Sequence, residues 1–468
     1  MDSGRPDRYI ILALVLAGVL MAVVDGSVVS IALPTITRHF GVSLSESQMV
    51  MTFYLVALTS LLLIFGKVAE YVGRARMFML GVAIFTASSL ACGLSTSLAL
   101  LVLCRVFQAA GAAMMFSISS AIIFQSFPRG EQGRAMGYIG STVAVGSILG
   151  PTLGGFIVDY LGWKYIFLIN VPIGALQLLL TSRYMRIEES RSERLNADWI
   201  GALTLIGFIV SLMALLGRLS QSFDLQPEVL LLPAISIASL AAFLINESKQ
   251  KAPLLDLSIF RYPMFVLPCI SMILFFVANM MISVLGPFYF EGVMGFSASQ
   301  VGLIYLIVPA IMVVGAPVAG WIYDRRQFRF MAALGMSIMA SAMMLLAYLA
   351  SSSSPDLRLL LLAFAVMGAG AVLFQSPNNT EIMRSLPKEK INTASSVTAT
   401  IRNLGMALGV SLSGVLVSVQ LSSAGYAGTL VQAGPGLLSL VISRVMMLSG
   451  MLCIIAALVS AYRGAKSG

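Results

Sequence analysis

The chain has 468 residues, of which 58% are hydrophobic and only 10% charged, with a mean hydropathy of +0.94. Soluble domains carry about 25% charged residues, so a soluble enzyme is excluded and the chain reads as an all-α polytopic membrane protein. The net charge of +9 does not indicate a nucleic-acid partner, because the basic residues sit in short segments between apolar runs.

About 20 apolar residues cross a bilayer as a helix. Runs of that length predict spans at 9–33, 47–66, 77–97, 99–124, 135–158 and 165–183. Two follow at 198–218 and 228–246, and six more at 264–288, 300–323, 330–350, 358–381, 394–418 and 438–462. The first run is too long for a signal core and lacks a small-residue cleavage site. With the amino terminus in the cytoplasm, inner segments hold 22 of the 29 basic residues and outer loops hold four. The positive-inside rule then predicts a multi-pass inner-membrane protein with both termini cytoplasmic. Arg105, Arg402 and Arg444 fall inside predicted spans.

The first span carries Asp25, the only acid deep within a predicted span of the first half. After the second span comes Gly66-Lys-Val-Ala-Glu70-Tyr-Val-Gly73-Arg74-Ala-Arg76. Glu70 and Arg74 lie four apart and can meet on a helix, which fits either a topogenic basic loop or a charge latch between helices. Arg105 in the fourth span should face the bundle interior or a wet cavity, given the cost of a charge among lipids. The fifth span, from Gly140 to Asp159, contains Gly146, Gly150 and Gly154 at intervals of four, with Pro151 and Gly155 beside them. The three share one face, which is either a tight packing surface or a sliding interface. Cys92, Cys104, Cys269 and Cys453 all sit in apolar runs, so neither a disulfide nor a metal site is expected, and no cofactor motif is present. Glu381, near the end of the twelfth span, is a secondary acidic candidate. Phe53, Tyr54, Phe107, Phe116, Phe275, Phe276, Phe288 and Tyr305 are candidates for an aromatic cavity.

An internal repeat organises these segments. Gly66 and Gly320, and likewise Glu70 and Asp324, are separated by 254 residues. That offset leaves room for two extra helices between two six-helix halves, a common transporter plan. The predicted units are 1–183, an amino-terminal six-helix bundle; 184–262, a cytoplasmic linker with two inserted helices; and 263–468, a carboxy-terminal six-helix bundle.

Several strings, in order, resemble the major facilitator superfamily, and within it the drug:proton antiporters with fourteen spans. Gly146-x-x-x-Gly150-Pro151-x-x-Gly154-Gly155 resembles the antiporter signature of the fifth helix. Gly66 to Arg76 resembles the loop signature G-x-L-A-D-R-x-G-R-K, with Glu70 for aspartate and Tyr71 for arginine. Arg105 to Gly111 resembles the fourth-helix motif R-x-x-Q-G-x-G, with Ala109 for its first glycine. Asp25 through Pro34 is similar to a first-helix mark of the fourteen-span group, with Ser27 and Ser30 in place of threonine and asparagine. Trp163 to Gly174, Gly286 to Glu291 and Arg402 to Gly409 match further family strings.

The resemblance implies a major facilitator fold of two six-helix bundles plus two inserted helices. It implies a monomeric, bilayer-embedded antiporter that exports amphipathic, often cationic drugs in exchange for protons. Export of an endogenous metabolite or lipid is the alternative. In this reading Asp25 is the proton and cation site with Arg105 as its partner. Gly66, Glu70, Gly73, Arg74 and Asp324 form the conformational latch, and Gly146, Gly150, Pro151, Gly154 and Gly155 the sliding interface.

Overall fold

The computed structural model describes residues 8–42, 44–185, 198–221, 227–250, 253–296, 298–352, 355–426 and 434–466. Fourteen of its helical segments are long and apolar enough to cross a membrane. The first bundle comprises α1 (Arg8–Phe40), α2 (Leu44–Val72), α3 (Arg74–Gly93), α4 (Leu98–Ser126), α5 (Gln132–Tyr160), α6 (Tyr165–Leu168) and α7 (Asn170–Tyr184). Then come the inserted pair α8 (Trp199–Gln221) and α9 (Pro227–Lys249). The second bundle comprises α10 (Pro263–Gly292), α11 (Ala298–Tyr305), α12 (Ile307–Arg326), α13 (Met331–Ser351), α14 (Leu357–Arg384), α15 (Ile391–Ser423) and α16 (Pro435–Lys466). The expected sixth span is broken into α6 and α7 at Ile169, and the tenth into α11 and α12 at Leu306. The charged stretch 186–197 lies outside the described residues.

Close packing inside each bundle uses glycine, as expected where lipid gives helices no hydrophobic drive to associate. A Cβ on Gly81 would lie 2.9 Å from the Gly111 carbonyl oxygen, joining α3 to α4. A Cβ on Gly335 would lie 2.7 Å from the Gly370 carbonyl oxygen, joining α13 to α14. Gly81 and Gly335 stand at the same 254-residue offset as Gly66 and Gly320, so the repeat extends into the packing.

The two bundles meet along a seam in the half nearest the chain termini. There α5 lies on α12, and α15 lies on α2 and α4. A Cβ on Gly320 would sit 2.1 Å from the Gly133 carbonyl oxygen, and one on Gly66 would sit 2.3 Å from Ser396 Cβ. Ser141 Oγ donates to the Val313 carbonyl at 2.7 Å, and Ser395 Oγ accepts from the Ala121 amide at 3.3 Å. Further along α5 the same row of positions reaches Thr152, which is exposed, and Gly155, with nothing within 4 Å of an added Cβ. The helix α15 shows the same divergence. Val397, Ala399 and Ile401 pack in a core cluster shared by both bundles, whereas Leu408, Leu416 and Val417 pack in one made almost wholly of second-bundle residues. A cleft between the bundles therefore opens away from the termini.

The inserted helix α8 packs against α2 and α15, on both sides of this seam, burying Leu205 and Ile209. Beyond α9, Asp256 caps a short 3-10 turn (Leu257–Arg261) by accepting from the Ser258 amide at 2.9 Å, and pairs with Lys390 at 2.6 Å. Its carboxyl is held down to about 2: partial burial alone raises it, but the hydrogen bonds from Lys390 and Ser258 and the Lys390 charge outweigh that.

Candidate coupling site and bundle seam

Asp25 and Arg105 meet. Asp25 Oδ2 lies 2.5 Å from Arg105 Nη1, and each residue is 1% exposed. Asp25 Oδ1 accepts from Gln108 Nε2 and from Asn170 Nδ2, both at 2.9 Å. Gln108 follows Arg105 by three positions on α4 and so shares its face. It accepts from Arg105 Nη1 at 2.7 Å and donates to Ser89 Oγ at 2.7 Å. Arg105 Nε donates to the Val50 carbonyl at 3.3 Å, and the guanidinium lies 3.9 Å from the centroid of the Tyr54 ring. The carboxylate thus has three donors from two other helices and faces no open water. Removing one partner of such a pair would leave a lone buried charge, at a cost of several kcal/mol.

Asn170 and Ser89 were not singled out in the sequence. Asn170 starts α7 just past the break at Ile169, which turns its amide into the bundle. The signal was available: Asn170 falls in the Trp163–Gly174 string.

The latch differs from expectation. Glu70 and Arg74 do not pair, because Gly73 has φ 93° and ends α2 between them. The helical four-residue spacing is lost there, and each side chain takes its own partners. Glu70 pairs with Lys67 at 2.8 Å and accepts from Thr393 Oγ1 at 3.5 Å. Arg74 Nε donates to Asn392 Oδ1 at 2.6 Å, and its Nη1 bonds Gln125. Both therefore reach the first turn of α15, across the seam. Asp324 does the equivalent job on α5. Its two oxygens accept from the Gly133 and Arg134 amides at 3.0 Å, and Arg384 Nη2 lies 3.1 Å away. A carboxylate there meets the unpaired N–H groups of a helix start.

The glycine strip of α5 faces α1 within the first bundle. A Cβ on Gly146 would meet Val23 at 2.7 Å, on Gly150 Ser27 Oγ at 1.8 Å, and on Gly154 Val28 at 2.4 Å. The contact of α5 with the other bundle is made instead by Gly133, Gly137 and Ser141. Gly155 is off this face, and Pro151 lies within α5.

Glu381 belongs to a separate cluster in the second bundle. It pairs with Arg463 Nε at 2.6 Å and accepts from the Tyr323 hydroxyl at 2.9 Å, while Arg463 Nη1 donates to Asn378 Oδ1 at 2.9 Å. The aromatic candidates are dispersed: Tyr54 lies over Arg105, Phe275 stacks on Phe374 at 4.9 Å, and Phe53 and Phe107 are exposed.

Residues 15–410 match the family described as Major Facilitator Superfamily. The chain belongs to the major facilitator superfamily. Superfamily relatives include the riboflavin transporter RibZ of Clostridioides difficile, 33% identical over 405 residues that cover 86% of each chain. The transporter YebQ of Escherichia coli is 34% identical over 98% of this chain and 96% of its own. The multidrug export protein EmrB of Escherichia coli is 29% identical over 84% of this chain and 77% of its own. Among solved structures, the human organic anion transporter MFSD10 shares the fold with a TM-score of 0.65 at 14% identity, covering 96% of this chain and all of that one. Resemblance to the fourteen-span drug exporters of the superfamily is thereby supported by homologues as well as by motifs. The chain is a multi-pass membrane transporter.

Proposed function

We propose that this transporter is a proton-coupled exporter of small amphipathic organic compounds, working by alternating access of the cleft between its bundles. The observation that carries this reading is the enclosed Asp25–Arg105–Gln108–Asn170 network. It supplies one carboxylate whose charge depends on a single arginine. If Arg105 moves away, Asp25 is left buried without its counter-charge, and taking up a proton relieves that. If Arg105 returns, the proton leaves. Rocking of the bundles then alternates proton binding with cleft access. The three donors around Asp25 argue against a cationic substrate touching it in the present conformation, so Asp25 serves as the proton carrier and the substrate is held elsewhere in the cleft.

The charge distribution supports cytoplasmic termini in an inner membrane, and the cleft of this conformation then faces outward. We assign 1–183 and 263–468 as the two moving units, with 184–262 as an insertion, in a monomer. The 33% identity to the riboflavin transporter over 86% of the chain favours a second reading, export of a planar metabolite.

The test is proton release from lightly buffered, detergent-solubilised protein on addition of riboflavin or of ethidium. Release is expected from the wild type with at least one of them and not from Asp25→Asn. Equal release from both proteins would move the coupling role away from Asp25, with Glu381 next in line.

A further inference from the structure

We propose that Arg402 is the substrate-facing charge of the cleft and that it receives an oxyanion, a carboxylate carried by an amphipathic aromatic molecule. This rests on the reading of the cleft as the transport route.

Three other buried or half-buried arginines of the helices face carboxylates. Arg105 faces Asp25 at 2.5 Å, Arg384 faces Asp324 at 3.1 Å and Arg463 faces Glu381 at 2.6 Å. Arg444 is exposed on α16. Arg402 is half-buried a third of the way along α15, and among the described residues it has neither a carboxylate nor a hydrogen bond. Its one contact of this kind is with the Phe116 ring on α4, 5.4 Å from the guanidinium to the ring centroid. A charge held within the membrane without a counter-ion marks a substrate or ion pathway.

The position agrees. Arg402 follows directly after Ile401, the last α15 residue in the core cluster that joins the two bundles, and precedes Leu408, packed in the second bundle's own cluster. It stands two turns above the Ser395–Ala121 seam contact, on the same helical face. That is the floor of the cleft. The chemistry agrees too. A planar guanidinium presents paired N–H donors that match a carboxylate edge, and aromatic rings offer stacking for an apolar body. Phe116 lies on one side, and Phe276 packs one turn further along against Gly405.

Phe116 belongs to the first bundle and Arg402 to the second. Separation of the seam must therefore pull the ring away from the guanidinium. In the opposite access state Arg402 loses this contact, and a substrate carboxylate replaces the ring. Return to the present state brings Phe116 back in competition with the bound anion. The ring thus helps to discharge the substrate into the cleft.

Two fluorescent probes sharing one body test this: rhodamine B, with a free carboxylate, and its ethyl ester. Binding to the purified full-length protein is read by fluorescence polarisation. The wild type is expected to hold the carboxylate about tenfold or more tightly than the ester. Arg402→Gln should bind the two equally, and Arg402→Lys should keep part of the preference, because a charge remains without the planar fork. A wild type that does not favour the carboxylate, including one that binds neither probe, overturns the proposal. So does a preference that survives in Arg402→Gln. The measurement needs no proton flux: Asp25→Asn should retain the preference while losing proton release, so failure of the coupling reading alone is recognised separately.

Discussion

Arg105 Nη1 stands 2.5 Å from Asp25 Oδ2, and the pair is sealed within one bundle rather than shared between the two. In this conformation its strength is therefore a property of that bundle. Arg105→Leu should cost about 3–5 kcal/mol, because Asp25 is left enclosed without its counter-charge. The double variant Asp25→Asn with Arg105→Gln should be more stable than Arg105→Leu, since no charge remains. Thermal unfolding in detergent compares them, and a double variant no better than the single one would contradict the ion-pair account.

Asp324 and Glu70 are repeat equivalents with unequal duties. The Asp324 side chain is fully buried and accepts from two backbone amides of α5, whereas that of Glu70 is 21% exposed and, among the described residues, reaches one hydroxyl across the seam. Asp324→Asn should loosen the seam by about 1.5–3 kcal/mol, the range for hydrogen bonds to charged groups. Glu70→Gln should change it by less than about 1 kcal/mol. A cysteine placed at Ser395, buried in the seam, reports the difference through its rate of maleimide labelling. The native cysteines are free but buried and add little background. Equal rates in the two variants would remove the asymmetry.

Gly150→Leu should destabilise the first bundle by about 1–3 kcal/mol through overpacking, because its Cβ would overlap Ser27 Oγ. Ser27→Gly in the same chain should recover part of that loss. If it recovers none, the α1–α5 contact is not what limits residue 150.

Acid should release the loop after the inserted helices. Asp256 has an ordinary value of 3.8 and is held at about 2 in the fold. A lowered carboxyl stabilises the folded form above its unfolded value, and that contribution disappears as pH falls from 3.8 to about 2. Asp256→Asn should flatten this part of the stability profile. A wild-type profile no steeper than the variant's between pH 4 and pH 2 would show that the Lys390 pair does not form.

Fourteen spans and the paired halves were legible in the sequence because hydropathy and the repeat of Gly66 and Gly320 act over long stretches. The Asp25–Arg105 meeting was legible only through family resemblance, as 80 residues separate them. What escaped was local geometry. Glu70 and Arg74 have helical spacing, yet a single glycine with positive φ between them sends each to its own partner on α15. The glycines at 146, 150 and 154 announce close approach but not the approaching helix, which is α1 of the same bundle. Asn170 is a donor to Asp25 just past the break of the sixth span at Ile169, and the sequence mark of that break is Pro172, which has no N–H to give the Leu168 carbonyl.

The seam near the termini is built from small groups: Gly66 with Ser396, Gly133 with Gly320, Gly137 with Ala316, and Ala121 with Ser395. Side chains of this size hide one carbon or none, and each buried methylene is worth only about 0.8 kcal/mol. A proton moving through 100 mV delivers about 2.3 kcal/mol. On the proton-coupled reading proposed above, the apolar part of the seam is thus weak on the scale of one proton's drive, and the polar contacts of Asp324 and Arg74 carry much of the rest. A chain with leucines along the same line would bury more apolar surface there and hold one conformation.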